Sequence, residues 1–248
     1  MPELPEVERA RKALESGALG RTIVHVDDGD TWVCRPHAPG EIADALVGTR
    51  LTDAHRRGKS MWVDTDRGPV LGLHLGMSGR IEVDSEPSER WDRFSVEFED
   101  GGRLALHDKR RLGRVVLDPD LSGLGPDAAE VGREDFRARV GRGTAPLKAR
   151  IMDQGVIAGV GNLLADETLW QTGLDPRRPA GELSVEELDD LRRHLRRAIR
   201  LAIRHGGVHT GEVIPHRRRG EHCPRCGAEM RRATVGGRTT WWCPQEQT

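Results

Sequence analysis

The chain has 248 residues, enough for one large or two ordinary domains, each with a core of its own. Its 39 basic side chains nearly balance 40 acidic ones, for a net charge of −1, so bulk charge does not advertise a polyanionic partner and any such role depends on where the cations sit. No apolar run is long enough to span a bilayer and the first residues lack the apolar segment of a signal peptide, so a soluble, intracellular protein is expected.

The first eight residues, Met1-Pro2-Glu3-Leu4-Pro5-Glu6-Val7-Glu8, carry the first chemical signal. Methionine before a small residue is normally removed, which would leave the secondary amine of Pro2 at the chain start. An α-amino group has a reference pKa of about 7.7–8.0, so it is partly neutral near pH 7 and nucleophilic with little tuning. Pro5 suits the first turn of a helix, Glu6 and Glu8 favour its positive end, and Val7, Ala10 and Leu14 recur on one face. A helix over 5–14 is therefore predicted, with the amine just before its N-terminus, where the partial positive charge disfavours protonation. Glu3 is close enough in sequence to move protons for that amine. Taken alone, the octapeptide is more simply a helix start.

Residues 22–26 form a predicted strand and 41–46 a predicted short helix. Strand-like segments follow at 50–53, 60–65, 70–75, 80–83, 94–98, 103–107 and 114–117, separated by turn signals such as Asp66-Arg67-Gly68-Pro69 and Asp100-Gly101-Gly102. Many short strands at this spacing predict a β-sandwich or barrel. The pattern changes at Leu121-Ser122-Gly123-Leu124-Gly125-Pro126, a linker beyond which helices dominate. Ser184 with Glu187 forms a capping-box signature, and Leu188, Leu191, Leu195, Ala198 and Ala202 continue an apolar stripe toward a stop at Gly206-Gly207. Arg193, Arg197, Arg200 and Arg204, on another face, are expected to be solvated rather than bound to DNA.

Three constellations carry chemistry. Gly159-Val160-Gly161-Asn162 leads into a helix with Asn162 as its expected N-cap, and exposed N–H groups after a glycine turn make an anion site suited to a DNA phosphate, though the same pattern is common at ordinary helix corners. Cys223-Pro224-Arg225-Cys226 and Cys243, with sixteen residues between Cys226 and Cys243, suit a β-hairpin closed by zinc. Glutamate stands at 246, where a fourth cysteine is expected, so a three-sulfur, one-oxygen site with Glu246 is the candidate ligand set. His222 adjoins Cys223 and is a poor substitute, while Cys34 lies apart as a small, partly buried side chain. In the hairpin, the Arg238 guanidinium could reach a phosphate. The third constellation is a set of basic loops, Arg56-Arg57-Gly58-Lys59, His74-Leu75-Gly76-Met77-Ser78-Gly79 and His107-Asp108-Lys109-Arg110-Arg111-Leu112-Gly113. Their cations could neutralise phosphates, and Met77 and Leu112 could be wedges into a base stack.

The Pro-Glu-Leu-Pro-Glu-Val-Glu start, the His-Leu-Gly-Met-Ser-Gly loop, Met152-Asp153-Gln154 leading into Gly-Val-Gly-Asn, and the cysteine tail occur in one order across nearly the whole chain. That ordered set resembles the Fpg/Nei family, the formamidopyrimidine-DNA glycosylases and endonuclease VIII-like enzymes. The resemblance implies an α+β fold: an N-terminal catalytic β-sandwich flanked by helices over 1–121, a linker over 122–126, a helix–two-turn–helix domain over 127–210 and a zinc-finger-like hairpin over 211–248, with DNA in the cleft between the domains. It implies a base-excision-repair enzyme in which Pro2 attacks C1′, Glu3 handles protons at the opening sugar, and the resulting Schiff base allows β,δ-elimination. Lys59 then resembles the family lysine near sugar and phosphates, and Asn162 and Arg238 its phosphate clamps. Met77, Arg110 and Leu112 occupy the positions that fill the gap left by an extruded nucleotide, His74 belongs to the same DNA-binding set, Lys148 is a further phosphate contact and Glu167 a buttress. The expected cofactor is zinc and the expected partner double-stranded DNA with oxidised bases or abasic sites, bound by a monomer in the bacterial cytoplasm at the nucleoid. Members that recognise 8-oxoguanine carry a longer segment after the long helix than the stretch from Gly206 to His222, so formamidopyrimidines, oxidised pyrimidines, ring-opened secondary lesions or abasic sites are the expected targets. Two rivals stand beside this reading: a damage-binding protein of the same fold with weak catalysis, and a zinc-ribbon module, which leaves the N-terminal motif unexplained.

Overall fold

The structure, a computed structural model, describes residues 2–248; Met1, whose removal the sequence predicts, lies outside them. The chain forms two compact units, one comprising Pro2 and Val7–Ser122, the other Glu3–Glu6 and Gly123–Thr248. Helix α1, Leu4–Gly17, starts where Pro5 needs no N–H partner and extends past the predicted residue 14.

The first unit is a sandwich of two antiparallel sheets. One has the order β1-β6-β7-β5 and the other β2-β3-β4-β8. The strands are β1 (Ile23–Asp27), β2 (Leu51–Arg57), β3 (Ser60–Thr65), β4 (Leu71–His74), β5 (Arg80–Val83), β6 (Asp92–Phe98), β7 (Arg103–His107) and β8 (Arg114–Leu117). Period-2 alternation places Phe94, Val96 and Phe98 of β6 inward, where they join Met61, Val63, Leu73, Leu106 and Val115 in one core. Helix α2 (Glu41–Leu46) adds Ile42 and Leu46, and Val7, Ala10 and Leu14 of α1 belong to the same cluster. β2 runs four residues beyond the predicted 53 because it pairs through Arg57 with Ser60 across a two-residue turn, Gly58-Lys59. Ala54-His55-Arg56-Arg57 carries no apolar alternation, so only the pairing reveals it as strand.

The second unit is helical. It contains α3 (Arg133–Val140), α4 (Leu147–Met152), α5 (Asn162–Thr172) and α6 (Val185–His205), and ends in the hairpin of β9 (Arg231–Val235) and β10 (Arg238–Trp242). The Ser184–Glu187 capping box opens α6, whose predicted stripe is buried, and Gly206 closes it in the left-handed conformation. The hairpin turns on Gly236 and Gly237 at φ 56° and 72°, the positive pair that a tight two-residue turn requires. Among the described residues no helix is long and apolar enough to cross a membrane.

Candidate active site

Glu3 is almost fully buried, and its carboxylate caps α5. Oε2 accepts the Gly161 and Leu164 N–H groups, each at 3.0 Å, and Oε1 accepts Leu163 N–H at 2.8 Å. The expected anion site at this helix start is therefore real, but the chain's own carboxylate fills it in place of a phosphate, satisfying donors that a helix N-terminus leaves open. Asn162 is the first helical residue rather than the cap, and Gly161, which holds the cap position, offers no side chain. A Cβ on Gly161 would lie 2.3 Å from the Glu3 carboxyl carbon, so the glycine is the room the carboxylate occupies. Leu4 N–H donates to Gly159 O at 3.1 Å and Glu3 N–H to Glu6 Oε2 at 2.9 Å, while Glu6 Oε1 accepts Val208 N–H at 2.7 Å. The chain start is tied down at Glu3, Leu4 and Glu6.

One turn further along α5, Asp166 anchors a buried charge cluster. Lys148 Nζ stands 2.6 Å from its Oδ1 with both side chains fully buried, and Arg217 Nε donates to Oδ2 at 2.7 Å. Lys148 also donates to Thr240 Oγ1 at 2.8 Å and to Thr239 O at 3.3 Å on β10. Burial lowers the Lys148 pKa and the Asp166 carboxylate opposes that shift. Lys148 is thus corrected from a phosphate contact to an internal strut: its ammonium is spent on the hairpin that carries Arg238, which is itself exposed at the start of β10. Glu167 is buried and braces the chain after α6, accepting Val213 N–H at 3.0 Å and Gln171 Nε2–H at 2.7 Å, and burial raises its pKa.

In the first unit, Lys59 sits in the β2–β3 turn, and Ser60 beside it pairs with His74. Burial and the nearby Lys59 charge lower the His74 pKa, and its Nδ1 accepts Gly76 N–H at 3.0 Å, as a neutral imidazole can. Gly76, at φ 59°, lies so close to the other loop that a Cβ would stand 2.2 Å from Leu112 O. This close approach sets Met77 and Leu112 side by side in neighbouring loops, each 42% exposed. Asp108, fully buried, shapes the second loop: Oδ1 accepts Ser78 Oγ–H and Arg110 N–H, and Oδ2 accepts Leu112 and Gly113 N–H. Burial would raise its pKa, but these donors hold the carboxyl below the usual range. Asp108 and Asp166 organise both regions and escape sequence reasoning. Asp108 stood inside a stretch that looked merely basic, though an aspartate followed by backbone donors before a glycine is a loop-forming signal.

Cys223, Cys226 and Cys243 bring one ligand atom each within 4.8 Å of one another. Burial would raise the Cys223 thiol, but the Trp170 indole N–H and neighbouring backbone groups lower it, while burial pushes Cys243 up to about 11. Three convergent sulfurs fit zinc. Glu246 does not join them: its Oε2 pairs with Arg225 Nη1 at 3.2 Å, which corrects its expected place in the ligand set.

Lys148→Ala should destabilise the protein by about 3 kcal/mol in urea unfolding, the low end for breaking a buried pair because Arg217 still compensates Asp166. A loss below about 1 kcal/mol would show that Lys148 is no strut.

Residues 1–115 match the formamidopyrimidine-DNA glycosylase N-terminal domain and residues 122–212 the formamidopyrimidine-DNA glycosylase H2TH domain. The formamidopyrimidine-DNA glycosylase of Nocardioides sp. is 35% identical over 280 residues, covering 98% of this chain and 93% of that protein. That of Methylococcus capsulatus is 34% identical over 273 residues, with all of both chains covered. Among solved structures, Lactococcus lactis Fpg bound non-covalently to DNA containing an AP site superposes with a TM-score of 0.89 at 28% identity, and MutM in complex with carbocyclic 8-oxo-G DNA with 0.88 at 28%, each covering 100% of both chains. With two matching domains and relatives aligned over nearly its full length, this chain belongs to the formamidopyrimidine-DNA glycosylase family.

Proposed function

We propose that the protein is a bifunctional DNA glycosylase and abasic-site lyase of base excision repair, with the Pro2 amine as nucleophile. The observation that carries this reading is the anchoring of residue 3. Chain termini are usually poorly ordered unless tied down, yet the residue after Pro2 is fixed by three backbone N–H bonds. The Pro2 lone pair forms a bond to C1′ while the bond from C1′ to the base breaks and its electron pair leaves with the base. Glu3, adjoining the nucleophile in the chain, handles the proton at the opening sugar. The iminium then acidifies the neighbouring sugar carbons, so β- and δ-elimination break the strand.

Lys59 supplies positive charge near sugar and phosphates, Asn162 and Arg238 clamp phosphates, and Met77, Arg110 and Leu112 fill the gap left by the extruded nucleotide. Cys223, Cys226 and Cys243 would hold zinc, which closes the hairpin carrying Arg238. Against 8-oxoguanine stands the shortness of the chain after α6. The Methylococcus alignment runs to 273 positions over a chain of 248 residues, so this protein lacks positions that its relative has. The stretch from Gly206 to His222 is also fastened through Val208, Val213 and Arg217.

Borohydride trapping on an abasic-site duplex should give a covalent adduct with the mature protein and markedly less with Pro2→Gly or an N-terminally extended form. An extended form that traps as well as wild type refutes the nucleophile. On matched duplexes, formamidopyrimidine or oxidised-pyrimidine excision should exceed 8-oxoguanine excision by at least about tenfold, and parity would refute the short-segment argument. Metal analysis should find about one zinc per chain in Glu246→Ala and none in Cys226→Ala; zinc lost from Glu246→Ala would restore it as a ligand.

A further inference from the structure

Two tryptophans flank the loop that carries Arg110 and Leu112, and none of the roles above uses them. Trp32 is 52% exposed yet rigidly held. Its backbone N–H donates to Asp30 Oδ1 at 3.1 Å, its backbone carbonyl accepts Arg114 Nη1–H at 2.7 Å and also a proton of Arg35, and the Arg35 guanidinium lies 3.8 Å from the ring centroid. Asp30 is the hinge of this arrangement. It accepts Arg111 through both oxygens, at 2.8 and 2.9 Å, which ties the Trp32 loop to the Leu112 loop. Arg111 reaches it from φ 53°, a left-handed conformation that costs a residue other than glycine free energy and concentrates at functional positions.

Trp91 adjoins the same loop. Its carbonyl accepts Asp108 N–H at 2.8 Å, and Arg93 Nε donates to Asp108 O at 2.9 Å. Three cations surround its ring: Arg90 at 4.5 Å, Lys109 at 5.7 Å and Arg93 at 5.8 Å. Such contacts hold long basic side chains in place, so their charge is presented with less entropy to lose on binding.

We infer that this surface is a binding platform for unpaired DNA, with an unstacked base lying on Trp32 and neighbouring phosphates on the cations gathered around Trp32 and Trp91. An exposed aromatic among fixed cations is the combination that single-stranded nucleic acid uses, because every base has a π face and every nucleotide a phosphate. A wedge that displaces a base leaves its opposite number unstacked, and a platform on the wedge loop is where that strand gains a new contact. A peptide with acidic and aromatic groups could satisfy the charges but has no reason to prefer an unpaired strand to a paired one.

The inference rests on DNA being the substrate, and covalent trapping at Pro2 reports on that premise alone. A single-stranded oligothymidylate carrying one 2-aminopurine probes the platform. Wild type should bind it with quenched fluorescence. Trp32→Ala should weaken binding by roughly fivefold to a hundredfold, the range for one lost base–aromatic stack, while Trp32→Phe retains most of it. Affinity for a fully paired, undamaged duplex should change less than about twofold in either variant. No quenching with wild type, or equal losses on paired and unpaired DNA in Trp32→Ala, overturns the platform, even where trapping at Pro2 remains intact. Should Trp32→Ala fail to fold, the wild-type quenching and the Trp32→Phe affinities decide.

Discussion

The second unit depends on a carboxylate brought from the chain's first residues to the start of a helix. Glu3 closes the N-terminus of α5, a service that an ordinary cap residue supplies locally for about 1 kcal/mol. The arrangement is costly in sequence terms, since it requires glycine at 161, where a Cβ would meet the carboxyl group, and a positive φ of 113° at Gly159. Its return is positional. A helix start that borrows its cap from residue 3 fixes where residue 3 must lie, and through the peptide bond where Pro2 begins. Glycines that would suit a phosphate loop serve an internal anion instead.

Asp166 performs a related task deeper in the same unit. A buried lysine and aspartate with a half-buried arginine are expensive to desolvate, and such a group can be retained where a defined arrangement matters more than net stability. Its members come from α4, α5, the chain after α6 and, through Thr239, Thr240 and the Trp241 N–H, the hairpin. Lys148 therefore bears on Arg238 indirectly. A cation that the motif suggests for a phosphate determines the position of the strand where another cation is exposed.

Much of this was legible in the sequence. Strands 60–65, 80–83, 103–107 and 114–117 and helix 41–46 agree with the structure to the residue, because alternation or an apolar stripe was bounded by glycine, proline or aspartate. What escaped was long-range pairing. Asn162 has the chemistry of a cap and is displaced from that role by a residue about 160 positions away, which no local pattern encodes. Lys148 has the composition of a surface cation and is buried because Asp166 awaits it. Glu246 sits at ligand spacing and turns to Arg225. In each case a partner elsewhere in the sequence decided where the side chain's chemistry was spent.

The same logic bears on the stretch after α6. Between Gly206 and His222 the backbone is fixed at Val208 by Glu6 and at Val213 by Glu167, and the Arg217 side chain by Asp166. Anchors spaced about one helical turn apart leave little slack for a loop to open and close over a flipped base, since each closure would require breaking at least one charge-assisted bond, at about 1.5–3 kcal/mol. Glu167 adds a second constraint, because its burial raises its pKa and its bond to Val213 N–H opposes that rise. Releasing Val213 would leave a buried carboxylate short of a donor. On the proposed function, base selection would then come from surfaces already in place, a narrower and more rigid solution than closing a flexible lid.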